Sequence, residues 1–123
     1  MSTLSLMENG AQIPEWIDNE CVGEGWHHIL RDLHGRLAQI EPDYRVFQIK
    51  EKFGGLRVYT YTEHLSDDDR KKVYAWIGIA EEEAWKTCEA CGEYGSLRTE
   101  RDGEPWTWVR TLCDQHAKQA GYV

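Results

Sequence analysis

Apolar residues recur at helical spacing in two stretches of the chain, which predicts two amphipathic α-helices. The first stretch is residues 25–40. Its apolar face comprises Trp26, Ile29, Leu30, Leu33, Leu37 and Ile40. Pro42 ends this helix, because the residue before a proline avoids the helical region. The second stretch is residues 65–85, with Ser66 as its N-cap. Its apolar stripe comprises Val73, Trp76, Ile77, Ala80 and Ala84.

Between these helices, residues 44–62 are rich in β-branched and aromatic side chains, which predicts a β-hairpin. The strands are residues 45–52 and 56–62, and the sequence Phe53-Gly54-Gly55 forms the turn. The cations of this hairpin lie near its turn, and two interpretations remain open. They are solvated charges that protect an edge strand, or they form a partner or anion site with the glycine amides. The residues of this second interpretation are Lys50, Lys52, Phe53, Gly54, Gly55, Arg57 and Tyr59.

The strongest chemical signal is a pair of half-sites near the C-terminus. Cys88 and Cys91 form a C-x-x-C pair, and Cys113 and His116 form a C-x-x-H pair. This spacing predicts a tetrahedral Cys3His site for one zinc ion. Since all four ligands come from the protein, the ion is structural. A redox dithiol at Cys88 and Cys91, or disulfides in a secreted chain, remain alternatives.

The interval between the half-sites predicts a second hairpin, with strands at residues 96–99 and 107–111 and a turn at residues 101–104. A helix at residues 114–120 then carries the last ligand. Knuckle, hairpin and helix in this order are similar to a treble-clef zinc finger. Treble-clef nucleases need a general-base histidine on the hairpin, and residues 96–111 contain none.

The sequence therefore predicts an α+β fold in which two amphipathic helices pack on an antiparallel hairpin and a treble-clef-like zinc unit follows. The core is residues 1–87, and the zinc unit, residues 88–123, docks on it. Residues 1–12 are weakly patterned and predict a loose terminus, whereas Pro14 predicts the first position of a short helical turn over residues 14–17. Cys21 is expected to be a small buried residue.

Three histidines of the first predicted helix, His27, His28 and His34, are expected to have structural roles. His27 and His28 are adjacent, so their side chains point apart and cannot bind one ion together.

Composition narrows the range of partners. The chain has 123 residues and a formal net charge of −8, which disfavours sequence-independent binding to nucleic acid. Six tryptophans and six tyrosines are many for this length, and exposed rings of this kind often anchor protein partners. No leader or long apolar run is evident, so we expect a soluble, cytoplasmic protein with no membrane partner.

Three features in fixed order carry a resemblance: the Gly25-Trp26 helix start, the Lys-Glu-Lys-Phe-Gly-Gly-Leu-Arg run at residues 50–57, and the closing Cys/His pairs. The chain resembles an uncharacterised family of small bacterial and phage proteins along most of its length. The resemblance implies a bacterial or phage cytoplasmic setting and carries over no catalytic residue. The segment before Gly25 lies outside it.

We expect a non-catalytic, zinc-containing protein that binds a macromolecular partner, most simply a protein, as inhibitors and immunity proteins do. One contact surface is the first hairpin, including Tyr61, and another is the zinc hairpin with Trp106 and Trp108. A nucleic-acid-binding regulator that uses the zinc unit and the basic hairpin is one alternative. An enzyme acting on a phosphorylated small molecule is another, but no nucleophile or general base stands out for it.

Overall fold

The structure is a computed structural model that describes residues 4–8, 11–14, 22–104 and 108–123. Its described part is α+β, with three α-helices and three antiparallel strand pairs. The elements in chain order are β1 (Leu4–Glu8), β2 (Ala11–Pro14), a 3-10 turn (Glu24–Trp26), α1 (His27–Ile40), β3 (Arg45–Lys52), β4 (Gly55–Tyr61), α2 (Asp67–Ala84), β5 (Ser96–Thr99), β6 (Val109–Leu112) and α3 (Asp114–Ala120).

The N-terminal segment differs from the prediction. Residues 1–12 were expected to be loose, but β1 and β2 pair as antiparallel strands with Met7 opposite Gln12. Pro14 lies in β2 instead of starting a helical turn, and Glu15, Trp16 and Ile17 of that turn lie outside the described residues. The signal for this hairpin was Asn9-Gly10, a dipeptide typical of two-residue turns. Backbone pairing here overrides the weak pattern of side chains.

Both predicted amphipathic helices and the hairpin between them are confirmed. The hydroxyl of Ser66 accepts a hydrogen bond from the Asp69 amide at 3.1 Å, which confirms the predicted cap of α2. Strands β3 and β4 pair with Ile49 opposite Val58, and both side chains are buried. One core joins these elements. Its buried apolar residues include Trp26, Leu30, Leu33, Leu37, Ile49, Leu56, Val58, Val73, Ile77 and Ala84.

The C-terminal part also follows the predicted order. The return strand differs slightly from the prediction: β6 covers Val109–Leu112, whereas residues 107–111 were expected. Residue 107 lies outside the described part. Helix α3 has the predicted bounds and ends at Gly121, whose φ of 79° is the left-handed geometry common after a helix. Cys88, Leu112 and Ala117 form a second small core in this part.

Close backbone contacts join the start of α1 to the segment after α2. The Gly25 amide donates to the Glu89 carbonyl at 2.9 Å, and the Trp26 indole donates to the Thr87 carbonyl at 2.9 Å. A Cβ atom on Gly25 would overlap the Cys88 carbonyl oxygen. The Gly-Trp pair at this helix start therefore permits an approach that a larger first residue would block.

In the described part of the chain, no helix has both the length and the apolar character needed to cross a membrane.

Candidate metal centre and hairpin surface

The structure brings Cys88, Cys91, Cys113 and His116 together, with their ligand atoms all within 4.8 Å of one another. Cys88 and Cys91 lie on a tight knuckle, in which the Gly92 amide donates to the Cys88 carbonyl at 2.9 Å and Gly92 has a φ of 84°. Cys113 is the N-cap of α3, and His116 lies in the first turn of that helix. The knuckle and the helix start thus turn their side chains toward one point.

Distances within this cluster are close to those of a tetrahedral metal site. Zinc–sulfur bonds of about 2.3 Å and zinc–nitrogen bonds of about 2.0 Å place tetrahedral ligands about 3.5 to 3.8 Å apart. The Cys91 and Cys113 sulfurs are 3.8 Å apart, and His116 Nδ1 lies 3.7 Å from the Cys88 sulfur and 3.2 Å from the Cys113 sulfur. The cluster is therefore compatible with one metal ion held by three sulfurs and one ring nitrogen.

The thiols of the knuckle differ in their tendency to ionise. Burial raises the pKa of Cys88, but hydrogen bonds from the backbone of Cys113, Cys91 and Ala90 outweigh it and hold the pKa below its ordinary value. For Cys91, a backbone hydrogen bond from Glu93 lowers the pKa, but burial and the two neighbouring thiols raise it above the ordinary value. Because metal ions bind thiolates, this backbone geometry prepares Cys88 as a ligand.

The alternative of disulfides finds less support in this geometry. Cys88, Cys91 and Cys113 are free, and the 3.8 Å between the Cys91 and Cys113 sulfurs is far beyond the disulfide length of about 2.05 Å. Cys21, which was expected to be a small buried residue, lies outside the described residues.

Glu89 and Arg110 form a charged pair beside the knuckle that the sequence pattern did not single out. Arg110 Nε donates to Glu89 Oε1 at 2.6 Å, and the Glu89 residue is 7% exposed. Burial raises the pKa of Glu89 above its usual value, although the guanidinium of Arg110 acts against that rise. Glu89 lies between two ligands of the cluster, so this pair ties the knuckle to β6. The signal that could have indicated this ion pair is an acidic residue inside the C-x-x-C pair together with an arginine on the return strand.

The two glycines of the predicted hairpin site are buried between elements. A Cβ atom on Gly54 would lie 2.5 Å from the Leu97 side chain, and one on Gly55 would lie 2.5 Å from the Trp85 ring. The Gly54 carbonyl accepts a hydrogen bond from Thr111 Oγ1 at 2.7 Å, and its amide donates to Glu51. The tip of the first hairpin is thereby packed against β5 and β6.

The cations of the predicted hairpin site lie together on the side of β3 and β4 that faces away from the core. Lys50 pairs across the strands with Arg57, so the two side chains share one face, and Lys52 lies two residues further along it. Arg57 has an acidic neighbour, Glu81, at 3.8 Å. Lys50 and Lys52 lie 5.7 Å and 5.8 Å from the ring centroids of Tyr59 and Phe53, and neither forms an ion pair in the described structure.

Aromatic rings cover the other end of this face. The Phe47 ring centroid lies 5.9 Å from that of Tyr59 and 4.9 Å from that of Tyr61. Phe47 is 53% exposed and Tyr61 is 45% exposed. Sequence reasoning missed Phe47, because an irregularity in the strand register between Val46 and Gln48 alters the simple alternation of faces. We call the whole surface the outer hairpin face; its residues are Phe47, Lys50, Lys52, Arg57, Tyr59 and Tyr61.

The structure also shows where two other residues named in the sequence analysis lie, Trp108 of the zinc hairpin and His34 of the first helix. Trp108 is exposed just before β6, whereas Trp106 lies outside the described residues. His34 is buried in α1, where its Nδ1 shares a hydrogen bond with the Tyr44 hydroxyl, and burial raises the pKa of Tyr44. This bond joins α1 to the start of β3, as a structural histidine would.

Comparisons with protein-family models, curated proteins and solved structures found no match to this chain. No relative therefore supplies a functional residue, and the chemistry of the described side chains is what supports a function.

Proposed function

We propose that this chain is a non-catalytic binding protein, held together by a structural zinc ion, that contacts a macromolecular partner through the outer hairpin face. One observation carries the proposal. Three aromatic rings and three cations lie on a single face of a two-stranded sheet, away from the hydrophobic core. This combination is typical of a contact surface, because rings supply apolar area while cations select the charge of the partner.

The ligand chemistry supports zinc as the ion. Thiolates and imidazole are the ligands that zinc prefers, and four protein ligands leave no position for a reacting water molecule. The knuckle, the hairpin β5–β6 and the start of α3 follow the order of a treble-clef finger. Zinc binding at a site of this class contributes on the order of 10 kcal/mol to folding. Such a contribution suits a chain whose C-terminal core consists of Cys88, Leu112 and Ala117.

The charge arrangement of the outer hairpin face supports a function beyond stability. Like charges directly opposite each other destabilise a sheet, and Lys50 lies opposite Arg57 with Lys52 nearby. Glu81, at 3.8 Å, balances part of the charge of Arg57 but none of that of the two lysines. Such repulsion is relieved when carboxylates or phosphates of a partner approach. Neither of two clefts in the described part of the chain is lined by these cations.

A protein is the partner class that we favour. The net charge of −8 repels an extended polyanion, whereas a short acidic and apolar segment of a protein would meet the three local cations alone. We place the protein in a bacterial or phage setting and in the reducing cytoplasm, where thiolate ligands persist.

Single-stranded nucleic acid is a second candidate, and the contact of Phe47 with Tyr59 and Tyr61 favours it. Bases can stack on neighbouring exposed rings while cations beside them contact phosphates. The two candidates differ in their salt dependence, since each phosphate contact adds a steep loss of affinity with rising salt.

Site-specific photocrosslinking tests the proposal. A photoreactive residue replaces Tyr61 on the outer hairpin face, and in a control protein it replaces Tyr94, which is 79% exposed on the metal unit. In lysate of the organism that encodes the chain, we expect one predominant protein adduct at position 61 and none at position 94.

The double substitution Lys50→Ala and Lys52→Ala is expected to abolish that adduct, whereas Lys71→Ala with Lys72→Ala on α2 is expected to leave it. Adducts with nucleic acid instead of protein would favour the second candidate. The same adducts from both positions would contradict a specific outer hairpin face.

A further inference from the structure

A cleft of about 460 Å³ lies between the segment before α1, the metal knuckle and the beginning of β6. Its volume is in the range of sites that hold a small molecule or one large side chain. The charged and aromatic residues of its wall are Glu24, Glu51, Glu89, Trp108, Arg110 and Tyr122. This cleft is distinct from the outer hairpin face, because Glu51 and the outer cations alternate along β3 and point to opposite sides of the sheet.

Among the described residues of the cleft wall, carboxylates outnumber cations. Arg110 is paired with Glu89 at 2.6 Å, so this pair is electrically balanced. Glu51 accepts a hydrogen bond from the Gly54 amide, and neither Glu51 nor Glu24 forms an ion pair with any described residue. Two carboxylates thus remain uncompensated around a concave space, which favours a cation and repels an anion.

Aromatic surface lies within the same wall. Trp108 is 71% exposed at the edge of the cleft, and Tyr122 holds the Arg110 guanidinium 5.5 Å from its ring centroid. An exposed indole beside free carboxylates is an arrangement that attracts an ammonium or guanidinium group, since the ring face is electron-rich. Because Arg110 already occupies the ring of Tyr122, the indole of Trp108 is the ring left for a ligand among the described residues of the wall.

We propose that the cleft receives one cationic side chain, a lysine or an arginine, from a protein partner. The cation lies between Trp108 and the carboxylates of Glu51 and Glu24, and the Arg110–Glu89 pair forms the floor. The proposal rests on the proposed function in one respect: it takes the partner to be a protein. Together with the outer hairpin face, the cleft gives the chain two contact points of opposite charge, which fix the orientation of a partner.

Titrations of the zinc-loaded full chain, followed by NMR, test the cleft without a known partner. The probes are N-acetyl-arginine amide and N-acetyl-lysine amide, with N-acetyl-norleucine amide as the neutral control and N-acetyl-glutamate as the anionic one. The reporter is the indole N–H of Trp108, assigned by its loss in Trp108→Phe. We expect saturable shifts with the cationic probes in the millimolar range, and no saturation with the other two.

Two substitutions remove one charge each from the wall. Glu51→Gln keeps an oxygen that can accept the hydrogen bond from the Gly54 amide. This substitution is expected to weaken binding of the cationic probes about threefold to tenfold. Glu24 is exposed, so Glu24→Gln serves the same purpose if the first variant does not fold. The matched control is Glu82→Gln on α2, which makes the same change of net charge and is expected to leave binding unchanged.

Equal binding of the neutral and cationic probes, or equal effects of Glu51→Gln and Glu82→Gln, would overturn the cleft proposal. So would tighter binding of N-acetyl-glutamate. The outer hairpin face is tested separately, because the Lys50→Ala and Lys52→Ala protein should still bind the cationic probes. If the cationic probes do not bind but the crosslink at position 61 forms, the cleft proposal alone is refuted. If the probes bind but no crosslink forms, the outer hairpin face alone is refuted.

Discussion

At the residue scale, Gly25 controls how closely α1 approaches the metal knuckle. Its amide donates a hydrogen bond to the Glu89 carbonyl, and a Cβ atom there would overlap the Cys88 carbonyl oxygen and lie 2.7 Å from the Gly92 nitrogen. Backbone cannot move aside as a flexible side chain can. The glycine is therefore required by contact, not by its own dihedral angles.

We predict that Gly25→Ala lowers the free energy of unfolding by about 1–3 kcal/mol, the usual cost of overpacking a closed contact. The matched control is Gly35→Ala in α1, where an added Cβ meets nothing within 4 Å. That change is expected to raise stability by about 0.5–1 kcal/mol, because alanine is the better helix former. Chemical denaturation of both zinc-loaded variants measures the two effects. Equal stability of the two would refute the contact.

At the element scale, the tip of the first hairpin is a packing device that joins two parts of the chain. Gly54 and Gly55 approach Leu97 and Trp85, and the hydroxyl of Thr111 on β6 donates to the Gly54 carbonyl. This explains the Phe-Gly-Gly sequence at the turn. The glycines accommodate neighbours, while Phe53 beside them has a φ of 55° and is 72% exposed.

Thr111→Val is predicted to lower the free energy of unfolding by about 1–3 kcal/mol, because it leaves the buried Gly54 carbonyl without a donor. Thr60→Val in β4 is the matched control. The Thr60 hydroxyl is buried with no hydrogen-bond partner in the described structure, so its removal is expected to be neutral or stabilising. Thermal unfolding of both variants measures the difference. A larger loss for Thr60→Val would contradict this account of the turn.

At the scale of the whole molecule, the Cys/His cluster lies where three separated parts of the sequence meet. The knuckle contacts the start of α1 through Gly25, and the hairpin β5–β6 contacts the tip of β3–β4 through Gly54. Removal of the ion is therefore expected to destabilise contacts beyond residues 88–116. On the proposed zinc binding, the free energy supplied by the ion would act on the docking of both earlier elements.

We predict one zinc ion per chain by elemental analysis of protein purified under reducing conditions, and we expect a chelator to remove it. Hydrogen exchange should then accelerate at the knuckle and also at the Gly25 amide, which bonds the Glu89 carbonyl. The centre of α2, around Val73 and Ile77, belongs to the other core and is the internal control. Faster exchange confined to residues 88–116 would show that the docking does not depend on the ion.

Local patterns in the sequence determined much of this architecture. Helical spacing defines α1 and α2, because an amphipathic helix carries its buried face in its own sequence, and the N-cap Ser66 marks the start of α2. The Cys/His spacing predicted the cluster, since each half-site is a local chelate loop. The pairing of β1 with β2 was not predicted, although Asn9-Gly10 is a dipeptide typical of hairpin turns, because the side chains around it alternate only weakly.

Only the tertiary structure decided what the glycines do and which side chains share a surface. Nothing local shows that Gly25 meets Cys88, that Gly54 meets Leu97, or that Glu89 pairs with Arg110, because these partners are distant in sequence. The outer hairpin face likewise depends on strand register, which turns Phe47 toward Tyr59 and Tyr61. Periodicity specifies which side of an element is buried, but contacts between elements depend on how close two backbones can approach, and that is a property of the assembled fold.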